Sequence, residues 1–430
     1  MSKNRMAPPI RFQGFTEPWE QRKLGEIAEY KKGPFGSALK KDFFIPDSAT
    51  SVKVYEQQNA INKNWNLSRY YISKEYAQKL KSFEVHAGDI IVSCAGTIGE
   101  IYELPAQSRS GIINQALMRI RVNEDIVCKD IFKLAFSNMI DSFSREFSNG
   151  SAIKNIPPFA DLKPMKILLP NKAEQTIIGD FFTDIDKTIT LHQHKLEQQK
   201  KLKKYFLQNM FPAKGENAPR IRFKGFTGDW EQRKLGICFS SLQNNTLSRD
   251  ELGYENGAAM NVHYGDVLIK CDECLDVSKE SLPFIKNQLV ADKFRNSYLK
   301  NGDVVVVDTA EDETVGKCTE IMGVTNQKVI SGLHTIPFRP NNKFATGYLG
   351  FYLNSAAYHN QLIPLIQGTK VSSVSKSAMQ KTVIKYPANL EEQELIGQYF
   401  MKFDNLITHQ QRKLDQLQAM KKFMLQNLFV

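Results

Sequence analysis

Two stretches of the chain carry apolar residues at the three- and four-residue spacing of a long amphipathic helix. The first begins near Asn171 and the second near Asn389, and neither contains a proline. Residues at this spacing share one face, so each stretch predicts a helix with a narrow apolar seam, about 60 Å long. The predicted seam residues are Ile178, Phe182, Ile185, Ile189, Leu196 and Phe206 in the first helix, and Ile396, Phe400, Phe403, Ile407, Leu414, Leu417, Met424 and Leu428 in the second.

Charge along both stretches predicts how the two helices pair. Acidic residues gather near each start and lysines near each end, which suits the helix dipole and favours antiparallel packing. Asn171 with Glu174, and Asn389 with Glu392, have the spacing of a capping box. Polar residues within the seam are expected to fix its register: His192, Gln199, Lys203, Gln410 and Lys421.

The chain also repeats itself. IRFQGFTEPWEQRKLG at 10–25 returns as IRFKGFTGDWEQRKLG at 221–236, with 13 of 16 positions identical. The helix starts NKAEQTIIGDFF and NLEEQELIGQYF, and the helix ends KKYFLQNMF and KKFMLQNLF, form further pairs at an offset of 218. A duplicated unit explains this pattern, and one chain then supplies both helices of a pair.

The sequences between the repeated parts differ strongly, and both are mixed α/β. Strands are expected at 89–93 and 303–307, each after a Gly-Asp pair, and helices at 130–147 and 347–361. The resulting division is an N-terminal frame segment (1–25), a first variable domain (26–170), a central long helix (171–211), a linker with the repeated frame segment (212–236), a second variable domain (237–388) and a C-terminal long helix (389–430).

Composition favours a polyanionic partner. The chain of 430 residues has a formal net charge of +11, which suits nucleic acid, although a merely basic surface gives the same balance. Few, scattered cysteines, no secretory signal and no membrane span predict a cytoplasmic protein. Cys271 and Cys274 form one CxxC without a second pair at zinc spacing, so no metal site is expected.

DNA reading needs amide and guanidinium groups for base edges and cations for phosphates. Loop-like stretches of both variable domains supply such residues. The DNA-binding candidates are Lys31, Lys32, Lys40, Lys41, Asn62, Lys63, Asn64, Arg69, Tyr70, Asn114, Gln115 and Lys154 in the first domain, and Gln243, Asn244, Asn245, Arg249, Lys270, Asn326, Gln327, Lys328, Lys370 and Lys376 in the second.

Patterns that carry covalent chemistry are missing or broken. In Asn155-Ile156-Pro157-Pro158-Phe159, Ile156 interrupts the Asn-Pro-Pro-aromatic turn of adenine methyltransferases. Gly316-Lys317 lacks the first glycine and the Ser/Thr of a P-loop. The sequence therefore predicts no catalytic residues and no cofactor bound by this chain.

The duplicated frame, the Glu-Gln pairs at 174–175 and 392–393, and the L-Q-N-[ML]-F ends together resemble the specificity subunits of type I restriction-modification enzymes over essentially the whole chain. The resemblance implies an α+β fold: two mixed α/β target recognition domains in a pseudo-twofold arrangement, joined by two long antiparallel coiled-coil helices. It also implies a non-catalytic subunit that reads a bipartite, asymmetric target in double-stranded DNA across a spacer set by the helices.

The same resemblance implies two modification (methyltransferase) subunits and two restriction (translocase/nuclease) subunits as partners. S-adenosylmethionine, ATP and Mg would then be bound by those partners. Two alternatives stay open from the residues alone. One is a stand-alone DNA-modifying enzyme with an unrecognised site, and the other is a coiled-coil scaffold without DNA specificity.

Overall fold

The chain folds into two compact units, one made of residues 1–192 with 413–430 and the other of residues 193–412. The computed structural model describes residues 8–146, 158–312, 314–368 and 371–429, with backbone alone at 141–146. Each unit contains the start of one long helix and the end of the other. None of the helices described combines the length and low polarity needed to cross a bilayer.

The first half of the chain alternates short strands and helices before the central long helix. Its elements are β1 (Glu20–Lys23), α1 (Leu24–Ile27), β2 (Ala28–Lys32), β3 (Ser51–Tyr55), α2 (Gln57–Ile61), β4 (Tyr70–Ser73), α3 (Lys74–Lys79), β5 (Glu84–Val85), β6 (Ile90–Ser93), β7 (Ile101–Glu103), β8 (Gly111–Ile113), β9 (Leu117–Val122), α4 (Lys129–Glu146), α5 (Phe159–Leu162), β10 (Lys166–Leu169) and α6 (Lys172–Asn209).

Two four-stranded sheets form the body of the first unit. Their strand orders are β2-β9-β6-β7 and β4-β3-β8-β5, and β3 runs parallel to β8. The frame strand β1 pairs antiparallel with β10 outside these sheets. Apolar side chains of β6, β9 and α4 fill the core. The variable domain therefore has a core of its own, and the pairing of β1 with β10 connects it to the frame segment.

The second half of the chain repeats this plan with additional short strands. Its elements are β11 (Glu231–Lys234), α7 (Leu235–Cys238), β12 (Phe239–Ser241), β13 (Leu252–Gly253), β14 (Ala259–Val262), α8 (Tyr264–Ile269), β15 (Cys274–Asp276), β16 (Phe284–Ile285), α9 (Gln288–Asp292), β17 (Val304–Val307), β18 (Thr309–Ala310), β19 (Cys318–Met322), β20 (Val329–Ser331), β21 (Thr335–Pro340), α10 (Tyr348–Asn354), α11 (Ala356–His359), β22 (Ser372–Ser373), α12 (Lys376–Met379), β23 (Val383–Tyr386) and α13 (Leu390–Leu428).

The sheets of the second unit match those of the first in their central strands. Their orders are β12-β21-β17-β19-β15 and β13-β16-β14-β20, with β14 parallel to β20, while β11 pairs with β23 as β1 pairs with β10. The predicted strands at 89–93 and 303–307 are β6 and β17. Helix 347–361 is wrong as a single element: α10 ends at Asn354 because Ser355 is extended, and α11 begins after it.

The long helices run antiparallel, as the distribution of charge predicts. In the first unit, Lys421 near the end of α13 lies 2.5 Å from the carboxylate of Asp186 in the early part of α6. In the second unit, Lys203 near the end of α6 lies 2.5 Å from Asp404 in the early part of α13, and also binds Glu273 at 2.9 Å. The same Lys-Asp pair therefore recurs at the offset of the repeat.

The seam positions fall on the inward faces of both helices. Those that are buried are Ile178, Phe182, Ile185, Leu196, Ile396, Phe400, Phe403, Leu414 and Leu428. Those that are half-buried are Ile189, Phe206, Ile407, Leu417 and Met424. Between these positions the helices expose polar side chains together with some apolar ones, such as Leu191, Leu202 and Phe423.

The Glu-Gln pair at each helix start anchors the helix to its own unit. Glu174 binds Arg11 of the first frame segment through two hydrogen bonds of 2.7 and 2.8 Å, and Glu392 binds Arg222 in the same way at 2.6 and 2.9 Å. Asn171 caps its helix by accepting from the Glu174 N–H. The predicted capping box is therefore only half formed at Asn171, and at Asn389 the cap accepts from the Glu391 N–H instead of that of Glu392. Neither box is completed, because each glutamate side chain is directed to an arginine.

The glutamine of each pair makes matching backbone contacts. Gln175 accepts from the Cys128 N–H just before α4 and donates to Pro170 O. Gln393 accepts from the Ala345 N–H just before α10 and donates to Pro387 O. The amide thus joins a long helix to the helix of the variable domain that packs beside it, which explains why this residue type occupies both positions.

Each frame tryptophan packs on a phenylalanine that lies just beyond the end of a long helix. In the first unit the rings of Trp19 and Phe429 lie 6.2 Å apart, edge to face. In the second unit the rings of Trp230 and Phe211 lie 6.3 Å apart with the same geometry. Phe211, which the sequence analysis counts in the central helix, is thus a core residue of the second unit beyond the end of α6.

Candidate nucleic-acid interface

In the first unit, four chain segments meet where β2, β3, β6 and β8 end. These segments form the first turn cluster, which consists of Lys32–Gly33, Gln57, Cys94–Thr97 and Asn114–Ala116. The N–H groups of Asn114 and Cys94 donate to Tyr55 O and Ala116 O at 3.0 and 2.8 Å. Backbone bonds hold these turns together and leave the Gln115 side chain exposed at their surface.

In the second unit, the equivalent strand ends meet in the same way. The second turn cluster consists of Gln243–Asn245, Tyr264, Asp308 and Gly332–His334. The Gly332 N–H donates to Val262 O at 2.8 Å, and the Asp308 N–H donates to His334 O at 3.2 Å. These two bonds correspond one to one with the two in the first unit, so the clusters are equivalent parts of the repeated fold.

The scaffold behind each cluster is the same. In the first unit the guanidinium of Arg121 on β9 binds Asp89 through bonds of 2.8 and 3.0 Å. In the second unit Arg339 on β21 binds Asp303 at 2.9 and 2.6 Å. Each aspartate precedes the central strand of its sheet, β6 or β17. The aspartate of each Gly-Asp pair in the sequence therefore forms an ion pair that connects two neighbouring strands.

The side chains that the clusters present are different. The turn Asn114-Gln115-Ala116 in the first unit corresponds to Gly332-Leu333-His334 in the second. The residue after the central strand is the buried Cys94 in one and the partly exposed Asp308 in the other. Equivalent positions on one scaffold thus carry different hydrogen-bonding and apolar groups.

The second cluster contains an acid beside an imidazole. His334 has a left-handed backbone with φ 54 and a side chain that is 45% exposed. Its Nδ1 lies 3.5 Å from Asp308 Oδ1, and the Tyr264 ring meets the imidazole edge on at 5.3 Å. Next to it, burial lowers the pKa of His263, whose Nδ1 accepts from the Gly265 N–H. This combination offers both a donor and an acceptor to a base edge.

The candidates of the first unit divide into free and engaged groups. Lys32, Lys40, Lys41 and Gln115 are exposed. The engaged ones contact neighbours: Lys31 lies over the Phe83 ring, Asn62 donates to Gln58, Lys63 binds Glu100, Asn64 accepts from the Asn66 N–H, Arg69 lies over Tyr70, Tyr70 stacks on Phe44, and Asn114 accepts from the Ala116 N–H. Lys154 lies outside the described residues.

In the second unit fewer candidates are free to bind a partner. Gln243, Asn326 and Lys376 are exposed. Arg249 and Lys270 both bind the buried Asp266, Asn244 donates to Gly332 O, Gln327 accepts from the Thr325 N–H, and Lys328 lies over the Tyr298 ring. Lys370 lies outside the described residues.

Asn245 has a structural role within this unit. Its side chain is 1% exposed and donates to Asn261 Oδ1 at 2.6 Å and Ser331 O at 2.9 Å, while accepting from the Leu247 N–H. An amide whose donors and acceptor are all occupied inside the protein has none left for a base edge. Asn245 therefore shapes the second turn cluster from within.

The choice of candidates by residue type did not include the carboxylate and the aromatic rings of the second turn cluster. Asp308, His334 and Tyr264 lie on separate segments, and only the fold brings them together. The sequence did contain a signal for Asp308. When the Gly-Asp pairs of the two halves are aligned, Cys94 and Asp308 fall at the ends of equivalent strands. Alignment of the two halves strand by strand would have identified that position.

In the part of the chain that the structure describes, no three His, Cys, Asp or Glu side chains come together in a way that could hold a metal ion. Burial raises the pKa of the Cys271 thiol to about 12 and that of Cys274 well above its usual value. Both thiols are thus held in the protonated form, which is a poor metal ligand.

Comparison with known proteins agrees with this architecture. The family described as "Type I restriction modification DNA specificity domain" matches residues 16–201 and 228–419. A relative from Methanocaldococcus jannaschii, the type I restriction enzyme MjaVIII specificity subunit, is 22% identical over 94% of this chain and 91% of its own length.

Two solved structures share the fold. The S subunit of a type I restriction-modification system from M. genitalium superimposes with a TM-score of 0.56 at 13% identity, covering 99% of each chain. A chain from a study of complex assembly and conformational transition of the type I restriction-modification system gives 0.55 at 15% identity, covering 95% of this chain and 96% of that one.

The fold and its paired clusters define a protein with two unlike variable domains on a duplicated helical frame. The chain belongs to the type I restriction-modification specificity family, whose model covers both halves.

Proposed function

We propose that this chain reads a bipartite, asymmetric sequence in double-stranded DNA, with one half-site for each turn cluster. The observation that carries the proposal is the contrast between scaffold and side chains. The Arg-Asp pairs and turn bonds are the same in both units, while the groups presented at the strand ends differ. Exposed Lys32, Lys40 and Lys41 suit phosphates, and Gln115, Gln243, Asp308 and His334 suit base edges.

The chemistry of the system is assigned to partners. In this proposal two modification subunits bring S-adenosylmethionine and methylate adenines, and two restriction subunits bring ATP and Mg for translocation and cleavage. The specificity subunit itself contributes recognition and no covalent step, and works in the cytoplasm where its DNA is. Methyl transfer by the purified chain alone, given duplex DNA and S-adenosylmethionine, would contradict this division of labour.

Selection from a randomised double-stranded DNA library tests the recognition itself. The full chain is expected to enrich two short fixed sequences separated by a spacer of constant length. The preference should persist as salt is raised, because base contacts depend less on counterion release than phosphate contacts do. Binding without any enriched sequence would instead support the scaffold alternative.

Exchange of one variable domain is expected to change one half-site only. Residues 26–165 form a suitable module because β1 and β10, which pair with each other, lie outside it. A chimera carrying another family member's domain at this position should select a new first half-site and keep the second half-site and the spacer. The measurement is the same library selection, and a change in both half-sites would contradict two independent readers.

The long helices are proposed to set the spacer. Insertion of seven residues into each of α6 and α13 adds about 10 Å at 1.5 Å per residue while keeping the seam in register. The expected result is an altered spacer length with unchanged half-sites. A matched control places the same insertion in the linker near Gly215, where it should leave the spacer as it was, and an unchanged spacer in the helix variant would refute the role.

A further inference from the structure

The loop that follows β2 in the first unit holds an aromatic side chain almost entirely in solvent. Phe35 in the sequence Gly33-Pro34-Phe35-Gly36 is 89% exposed, more than any other large apolar residue in the part of the chain that the structure describes. Single exposed apolar residues are common on protein surfaces, so exposure by itself decides nothing. A functional role for this ring is argued instead from the contacts that hold the loop and from the charges around it.

The loop is held by backbone contacts on both sides of Phe35. The Gly33 N–H donates to Leu117 O at 2.9 Å, and a Cβ at Gly33 would overlap the carbonyl of Asn114, so the backbone lies directly on the first turn cluster. Beyond the ring, a 3-10 turn at Gly36–Ala38 leads to Leu39, which is buried. Backbone contacts on both sides of the tip limit the loop ordering that binding would cost.

The groups around this tip suit DNA. Lys32, Lys40 and Lys41 on the same loop are exposed. The Gln115 side-chain amide lies 3.8 Å from the position that a Cβ on Gly36 would take. Lysines match phosphates, an amide matches base edges, and an apolar ring matches either a thymine methyl group or the face of an unstacked base. A protein partner would not require this combination of lysines, an amide and an apolar ring.

We propose that Phe35 makes direct apolar contact with nucleobases of the first half-site and contributes to its specificity. The inference rests on the proposed function, and it names a residue that the sequence analysis did not. At the repeat offset of 211 the second unit has Thr246 in place of Phe35. The contribution is therefore confined to one half of the target.

The test compares the wild-type full chain with Phe35→Ala in the same randomised duplex library. The variant should fold normally, because the ring contacts almost nothing in the protein. Its first half-site is expected to lose information at one or two adjacent positions, and its affinity for the wild-type selected duplex to fall about tenfold or more, with the second half-site unchanged. Leu289→Ala, an exposed apolar residue of the second unit, is the matched control and should leave the first half-site intact.

Two further arms distinguish the kind of contact. If the ring enters the base stack, the fluorescence of 2-aminopurine at the affected step is expected to change on binding of the wild type and not on binding of Phe35→Ala. If it covers a thymine methyl group, replacement of that thymine by deoxyuridine weakens the wild type and has no effect on Phe35→Ala.

The outcomes separate this inference from the function on which it rests. A wild-type chain that enriches no sequence would refute the proposed function. A wild-type chain that enriches two half-sites, with Phe35→Ala giving the same sequences and the same affinity, would refute the role of Phe35 alone. The latter result, together with weaker binding of a purified methyltransferase partner, would assign the ring to a protein contact and equally overturn the inference.

Discussion

Replacement of Phe211 by alanine is expected to lower the free energy of unfolding by about 3–5 kcal/mol, the range for a fully buried phenylalanine. Phe211 is 1% exposed, and its ring meets Trp230, Tyr348, Tyr352 and Phe400. A cavity among so many large, rigid rings has little chance of being filled by relaxation. Guanidinium denaturation followed by tryptophan fluorescence measures the loss, since Trp230 lies against the altered site.

The repeat supplies a matched comparison for this variant. Phe429 occupies the equivalent position in the first unit, is 8% exposed, and contacts the rings of Trp19 and Phe182. Phe429→Ala should therefore destabilise the chain by a smaller amount, because the ring is less fully buried and meets fewer aromatic neighbours. Phe423→Ala, at an exposed position of α13, should have almost no effect. A loss for Phe211→Ala no larger than that for Phe423→Ala would contradict the packing described here.

A fragment of residues 1–211 is expected to form a dimer. Alone, it lacks the end of α13, so the apolar surface around Trp19 and Phe182 that normally covers Phe429 and Leu428 would face water. It also carries, in Met210 and Phe211, the helix end that the second unit uses against Trp230 in the same geometry. Two copies can exchange these ends reciprocally, which buries both surfaces in a twofold arrangement.

Light scattering after size-exclusion chromatography checks the mass of the fragment, and Phe211→Ala in the fragment should weaken the association. In the library selection the dimer is expected to enrich the first half-site twice, in inverted orientation, with no trace of the second. A stable monomer at tens of micromolar, or a dimer that tolerates Phe211→Ala, would show that the two helix ends are not interchangeable.

The sequence by itself determined the parts of the structure that depend on local pattern and on duplication. Apolar spacing located α6 and α13, the distribution of charge predicted their antiparallel pairing, and the repeat divided the chain into two equivalent halves. These features are encoded by residues close together in the sequence or copied as a block. Even there, the role of Glu174 and Glu392 was missed, because their arginine partners lie 163 and 170 residues away.

Only the tertiary structure decided which residues form the candidate interface. Asn245 looks like a base reader in sequence, but its amide is consumed by Asn261 and Ser331, whereas Asp308 and His334 were unremarkable until two strand ends placed them side by side. Residue type tells what a side chain can bind. Burial and long-range strand pairing decide whether that side chain is free to bind a ligand, and neither can be predicted from the residues next to it in the sequence.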